Sequence, residues 1–154
     1  MKFALDTNVL AYAAGVDDAT RQRRANAIIA AIGAADLVLP SQVAGELYNV
    51  LTRKDRHSRQ DAVEIVQEWI DLLTLTVHSP MTFATAIRLA ADHKLQMWDS
   101  IIVCVAAEAG CRFLLSEDFQ DGVTYRGVTI ANPFAERLHP LLASLLDASP
   151  GPNT

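Results

Sequence analysis

Four acidic residues have the spacing and surroundings to do chemistry together: Asp6, Glu46, Asp99 and Asp118. Each also has an ordinary explanation. Asp6 ends an apolar run and precedes a helical pattern, so it can serve as a helix cap. Glu46 falls on the flank of a stripe made by Val43, Leu47, Val50 and Leu51, where a long side chain can reach out to water. Asp99 opens the most apolar helical stretch of the chain, another capping position, with Ser100 beside it able to cap instead. Asp118 follows a strand-like run in "SEDFQDG", a composition that favours turns, and Glu117 and Asp121 compete for any role given to it. The four explanations are harder to hold jointly. Carboxylates converging at roughly 5 Å repel by about 3 kcal/mol per pair at an effective dielectric near 20. No Lys or Arg is placed within these motifs to relieve that. A hard divalent cation would, and carboxylate oxygens without His or Cys partners favour Mg²⁺ or Mn²⁺ over Zn²⁺. His57, His78, His93 and His139 show no ligand spacing and read as surface or packing groups.

The elements that must position these acids alternate along the chain. Strand-like runs are expected over residues 2–6, 36–40, 74–78, 111–118 and 127–134. Helices are expected over residues 8–14, then after a cap at Asp17 or Asp18, then over 42–53 with Ser41 as a cap. Further helices are expected over 59–73 behind a Ser58–Asp61 capping pair, over 80–94 with Pro80 in the first turn, and over 99–110 with Gly110 as its stop. The stretch 99–110 is apolar almost all round and should be deeply buried. A last helix over 136–147 is interrupted by Pro140. Strands separated by helices imply a parallel sheet between two helical layers, with ligands beyond the carboxyl ends of the strands. Asp6 and the Ser116–Asp118 segment both lie at such ends.

The chain has 154 residues, a net charge of −5 and 51% hydrophobic residues, which fits one folded domain and argues against disorder. The acidic balance argues against non-specific nucleic-acid binding, which rests on Lys and Arg neutralising phosphates. It leaves room for an enzyme whose acids gather around a cation. The two cysteines, Cys104 and Cys111, show no disulfide or metal spacing and read as reduced thiols of a cytoplasmic protein. No signal peptide and no run of membrane-spanning length is visible. The expected organisation is a single domain over residues 1–146, with 147–154 as a disordered tail.

"LDTNVL", Glu46 in a mid-chain helix, "WDSIIVCVAAEAGC" and "LLSEDFQDG", in this order, resemble the PIN-domain family, in particular the VapC-type toxin ribonucleases of VapBC toxin–antitoxin systems. The resemblance runs from about residue 2 to 133. It implies a three-layer α/β/α domain with a central parallel sheet of four to five strands. It also implies an Mg²⁺- or Mn²⁺-dependent endoribonuclease that leaves 5′-phosphate ends, using a metal-activated water. Asp6, Glu46 and Asp99 match the three core acids and Asp118 the fourth, while Thr7, Asn8 and Ser116 stand where supporting groups are expected. The doubled acid Glu117–Asp118 departs from the pattern and leaves the fourth position open. A cognate antitoxin protein and a homodimer are further implications. Two basic segments, with Arg21, Arg23 and Arg24 and with Arg53, Lys54, Arg56 and Arg59, could guide RNA toward the acids.

Other readings are weaker. A PIN-domain nuclease of RNA processing without an antitoxin is the nearest alternative. A phosphatase with an aspartyl nucleophile would want a second Asp where Asn8 stands, and a receiver-type domain would need a phosphoacceptor and Lys that are not in place. A non-catalytic interaction module would not need all four acids.

Overall fold

The computed structural model describes residues 1–53 and 56–148. In chain order, β1 (Lys2–Leu5) leads into α1 (Thr7–Ala13) and α2 (Ala19–Ile32). A 3₁₀ turn, Ala34–Asp36, precedes β2 (Leu37–Pro40), α3 (Ser41–Thr52), α4 (Arg59–Leu72) and β3 (Thr74–Thr76). Then come α5 (Pro80–His93), α6 (Met97–Glu108), β4 (Cys111–Leu115), β5 (Thr124–Tyr125), β6 (Val128–Ala131) and α7 (Pro140–Ala148).

The strands form one sheet in the order β3-β2-β1-β4-β6-β5. All neighbours are parallel except β5 and β6. Five parallel strands match the expected architecture, and β5 adds a sixth, antiparallel one. It is a two-residue strand folded back on β6 through Arg126 and Gly127, at φ 52° and 80°. Two positive φ angles are what a tight two-residue hairpin requires. Central parallel strands are covered on both faces and therefore read as unbroken apolar runs. β2 is buried at all four positions, and β1 at all but Lys2. Successive crossovers run from β1 outward to β3, then return across β1 to β4 and β6. Right-handed crossovers therefore place α1–α4 on one face and α5–α6 on the other. α1 packs on α2 and α3, α3 on α4, and α5 on α6, as this division requires.

Most helix boundaries have a local cause. Asp18 caps α2, its carboxylate accepting from the Thr20 and Arg21 N–H groups at 2.6 and 3.1 Å, while Asp17 beside it has φ 65°. Ser58 caps α4 by accepting from the Asp61 N–H. Ser79 and Thr82 form a full capping box around Pro80. Three expectations shift. Ser41 is the first residue of α3 rather than its cap, because Pro40 holds the extended cap conformation itself. α6 begins two residues earlier than expected, so neither Asp99 nor Ser100 is its cap. Gln96 holds that position, Asp99 lies in the first turn, and the Ser100 hydroxyl bonds back to the Gln96 carbonyl. Pro140 opens α7 instead of interrupting it, as a residue without an N–H can do at no loss. The His139 ring caps it by accepting from the Leu141 N–H.

α6 is buried from Ser100 to Ala106, as its composition demands. Gly110, at φ 77°, ends it and admits the turn into β4. Among the described residues no helix is long and apolar enough to cross a membrane. The expected tail from residue 147 overlaps the end of α7, and residues 149–154 lie outside the described residues.

Candidate functional site

The sheet changes direction of growth between β1 and β4, so a crevice opens where their carboxyl ends meet. Registered pairs Leu5↔Leu115 and Leu115↔Ala131 align the three strand tips. The Asp6 N–H donates to the Leu115 carbonyl and the Ser116 N–H to the Ala131 carbonyl, which carries the alignment one residue past the strands. Asp6 and Ser116 are thereby fixed side by side, 110 residues apart in sequence. The Ser116 hydroxyl donates to Asp6 Oδ2 at 2.6 Å.

Asp6 caps α1 with one carboxylate oxygen and turns the other to Ser116 and Asn8. Its Oδ1 accepts from the Thr7 N–H at 2.7 Å, the ordinary capping bond of α1. Its Oδ2 takes the Ser116 hydroxyl and the Asn8 amide, at 3.2 Å for the latter. The residue is only 5% exposed. Burial pushes its pKa up to about 6; the Ser116 and Thr7 bonds pull down against that, and the charges of Asp118 and Asp99 push further up. Asp99, half-buried in the first turn of α6, is raised as well, by burial and then by Glu46 and Asp118. Behind the effect of burial, the charges link all four acids named from the sequence: Asp118 and Asp99 act on Asp6, and Glu46 and Asp118 act on Asp99.

Neutral donors hold Glu46 and Asp118. Glu46, on the α3 face turned toward α1, accepts from the Thr7 hydroxyl and from the Gln42 amide, both at 2.8 Å. The same Gln42 amide reaches the Trp98 carbonyl at 3.3 Å, tying α3 to the start of α6. Asn8 bridges the other side, its amide donating to Asp6 and, at 2.9 Å, to Asp118. Asp118 is exposed, and its N–H is held by the Ser116 oxygen at 3.1 Å.

The competitors of Asp118 are engaged elsewhere. Glu117 accepts from the Tyr12 hydroxyl and from Arg21 Nη1, both at 2.5 Å. Arg21 also stacks over the Tyr12 and Phe134 rings, at 5.0 and 5.6 Å. Asp121 accepts from the Asn132 N–H at 2.8 Å. Tyr12, Arg21 and Gln42 are the supporting groups that sequence reasoning missed. Gln42 had a signal, since it precedes Glu46 by one helical turn. The Tyr12–Arg21–Glu117 cluster joins three separate segments and had none.

In the arrangement shown, no group of three or more His, Cys, Asp or Glu side chains stands close enough to hold a metal ion, among the described residues. The donor set nevertheless suits a hard cation. It offers carboxylate oxygens, no thiolate or imidazole, and no Lys or Arg bonded to Asp6, Glu46, Asp99 or Asp118 among the described residues. Two buried amide oxygens, Asn8 Oδ1 and Gln42 Oε1, have no hydrogen-bond partner. Three of the four histidines, His78, His93 and His139, pack against Phe83, Tyr125 and Phe113.

The backbone is similar to that of VapC20 of Mycobacterium tuberculosis, a Sarcin-Ricin loop cleaving toxin, with a TM-score of 0.63 and 16% identity over 73% of this chain and 87% of that one. It is also similar to VapBC2 of Rickettsia felis bound to a DNA fragment from their promoter (TM-score 0.62, 14% identity, 84% and 97% covered). FitAcB of Neisseria gonorrhoeae gives 0.61 at 16% identity, with 86% and 98% covered. At these identities the likeness speaks to the fold. No curated protein matches the chain in sequence. The family model that does match, over residues 3–120, contains the strand tips of β1 and β4 and all four acids, and by it the chain belongs to the PIN domain family.

Proposed function

We propose that this chain is a divalent-metal-dependent endoribonuclease acting as the toxin of a type II toxin–antitoxin system. The observation that carries the reading is the set of carboxylates at one strand-tip crevice, held by neutral donors and with no cation bonded to them among the described residues. Asp6, Glu46, Asp99 and Asp118 would hold Mg²⁺ or Mn²⁺. When bound, such an ion acts as a Lewis acid toward phosphate and lowers the pKa of a bound water. The chain's own residues do the rest. Ser116, Asn8 and the Thr7 N–H fix the Asp6 carboxylate, Thr7 and Gln42 fix Glu46, and Asn8 aims Asp118. Arg21 and Tyr12 keep Glu117 turned away, which favours Asp118 as the fourth acid.

The fold likeness to VapC20, VapBC2 and FitAcB supports the toxin reading and, with it, a cognate antitoxin. A partner helix would find an apolar groove of about 320 Å³ between α3 and α4, lined by Ala44, Tyr48, Val63, Val66 and Ile70. Val43, Leu47 and Leu51, the apolar stripe of α3, are buried in the core and leave the groove to the helix's other face. A homodimer belongs to the same reading, and Val77, Met81 and Ile87 are exposed apolar side chains in the middle third of the chain.

Purified protein should cleave single-stranded RNA in Mg²⁺ or Mn²⁺, stop in EDTA, and lose activity as Asp99→Asn with its fold intact by circular dichroism. Expression without its antitoxin should arrest growth, and Asp99→Asn should not. RNA cleavage that persists in EDTA would remove the metal mechanism. Cleavage without growth arrest would point to a PIN nuclease of RNA processing instead.

A further inference from the structure

A cleft of about 440 Å³ runs from the acids along the groove between α1 and α3. At one end Thr7, Asn8, Glu46 and Asp118 line it; at the other stand Asp17, Arg53 and Arg56, with Tyr12, Val16 and Val50 in the walls. Glu46, Asn49 and Val50 on α3, and Arg53 as the extended residue that ends it, follow at spacings of three, one and three, so one side of the helix leads from acid to arginine. Seven residues of helix rise ~10 Å. The arginines are thus too far along to touch a phosphate lying over the acids, and well placed for a neighbouring one.

The structure also sorts the basic residues. Arg21 is taken up by Glu117 and Tyr12, and Arg23 turns to the Thr20 hydroxyl on the exposed side of α2. Arg53 has no acidic partner among the described residues. Arg56 reaches across the cleft from the α3–α4 connection to Asp17 in the α1–α2 connection, at 3.0 Å. Asp17 is well exposed, and a pair of this kind is weak and readily exchanged. A guanidinium already holding a carboxylate at a cleft mouth can take a phosphate in the same fork geometry.

We propose that Arg53 and Arg56 form a phosphate subsite for single-stranded nucleic acid, holding a backbone phosphate beside the one placed over the acids, with Asp17 as the anion that the phosphate displaces. The acid end of this assignment rests on the nuclease reading; the arginine end does not. The apolar and aromatic walls between the two ends suit the sugar and base of the intervening nucleotide.

The test is binding of a short fluorescein-labelled single-stranded RNA to metal-free protein in EDTA, read by anisotropy over a salt series. Arg53→Gln and Arg56→Gln should each weaken binding several-fold and flatten the slope of log K against log salt by about 0.7 for each phosphate no longer neutralised. Asp17→Asn should tighten binding, since Asn tolerates the left-handed backbone there and frees Arg56. Arg23→Gln, with the same change of net charge, should leave the slope as in the wild type. If Arg53→Gln and Arg56→Gln bind RNA like the wild type, the subsite is wrong, whether or not the protein cuts RNA. It is equally wrong if these variants lose only a co-purifying protein partner. Loss of RNA binding in both variants, in a protein that never cleaves RNA with any metal, would support the subsite and overturn the nuclease reading.

Discussion

The raised Asp6 carboxyl makes an unusual prediction about stability. In the folded chain its pKa is about 6, against an ordinary value of 3.8. Between those values the folded state binds more protons than the unfolded one, so stability falls as pH rises. The contribution is fully favourable below about pH 4 and lost once the pH has passed 6. A shift of ~2 units at ~1.4 kcal/mol each corresponds to about 3 kcal/mol of destabilisation at pH 8 without metal. Asp6→Asn removes the ionisation. Its oxygen keeps the Thr7 N–H, and the Ser116 oxygen can accept from the new amide in place of its long, 3.3 Å bond from the Asn8 amide. The Asn8 amide then loses its acceptor on residue 6, at a cost of ~1 kcal/mol. The net expectation is a variant more stable than the wild type by about 2 kcal/mol at pH 8, or roughly 4–8 °C in Tm for a chain of this size. The advantage should shrink steadily from pH 6 to pH 4 and vanish or reverse there.

Urea melts of both proteins in EDTA between pH 4 and 8 read this directly. Adding Mg²⁺ at pH 8 should raise the wild-type midpoint by mass action and leave Asp6→Asn nearly unmoved. An Asp6→Asn protein less stable than the wild type at pH 8, by a margin that does not change with pH, would refute the reasoning. It would mean that Asp6 is a structural cap whose charge is fully compensated.

Ser116→Ala removes the 2.6 Å bond that lowers the Asp6 pKa, so the acid limb of the pH–rate profile should move upward while the fold loses about 1.5–3 kcal/mol; an unmoved acid limb would count against Ser116 as the group that tunes Asp6. Arg21→Gln should release Glu117 toward the acids, and in titration calorimetry Mn²⁺ affinity should change, while stability falls by about 1–2 kcal/mol for a half-covered pair that also stacks on two rings. Unchanged metal affinity would show that Glu117 stays clear of the site without its cation.

Much of this layout is legible in the sequence, for physical reasons that differ by element. β1, β2 and β4 are buried parallel strands, and α6 is buried all round, so their composition carries their position. β5 has two residues, too few for any periodicity, and exists because a positive-φ hairpin folds it onto β6. The start of α6 is hidden because Asp99 and Ser100 look like caps. The backbone instead turns helical at Met97 behind Gln96, whose side chain makes no capping bond. The pairing of Asp6 with Ser116, and of Glu117 with Tyr12 and Arg21, depends on strand register across more than ninety residues, which no local pattern encodes.

The acids look like ordinary caps and turn residues partly because they are built from the same parts. Asp6 makes a capping bond, Asp99 occupies a first turn where the helix dipole favours an anion, and Asp118 sits in a turn held by a serine. Asp6, Glu46 and Asp118 differ from Glu117 in the kind of partner each has. A structural carboxylate this close to the core would be expected to pair with Arg or Lys, as Glu117 does with Arg21. Asp6, Glu46 and Asp118 are instead held by hydroxyls, amides and a backbone N–H, which orient an anion without cancelling its charge. Burial first, and then the neighbouring carboxylates, raise the pKa of Asp6 and Asp99. Under the proposed function, a divalent cation would supply the charge that the hydroxyl and amide partners leave uncancelled.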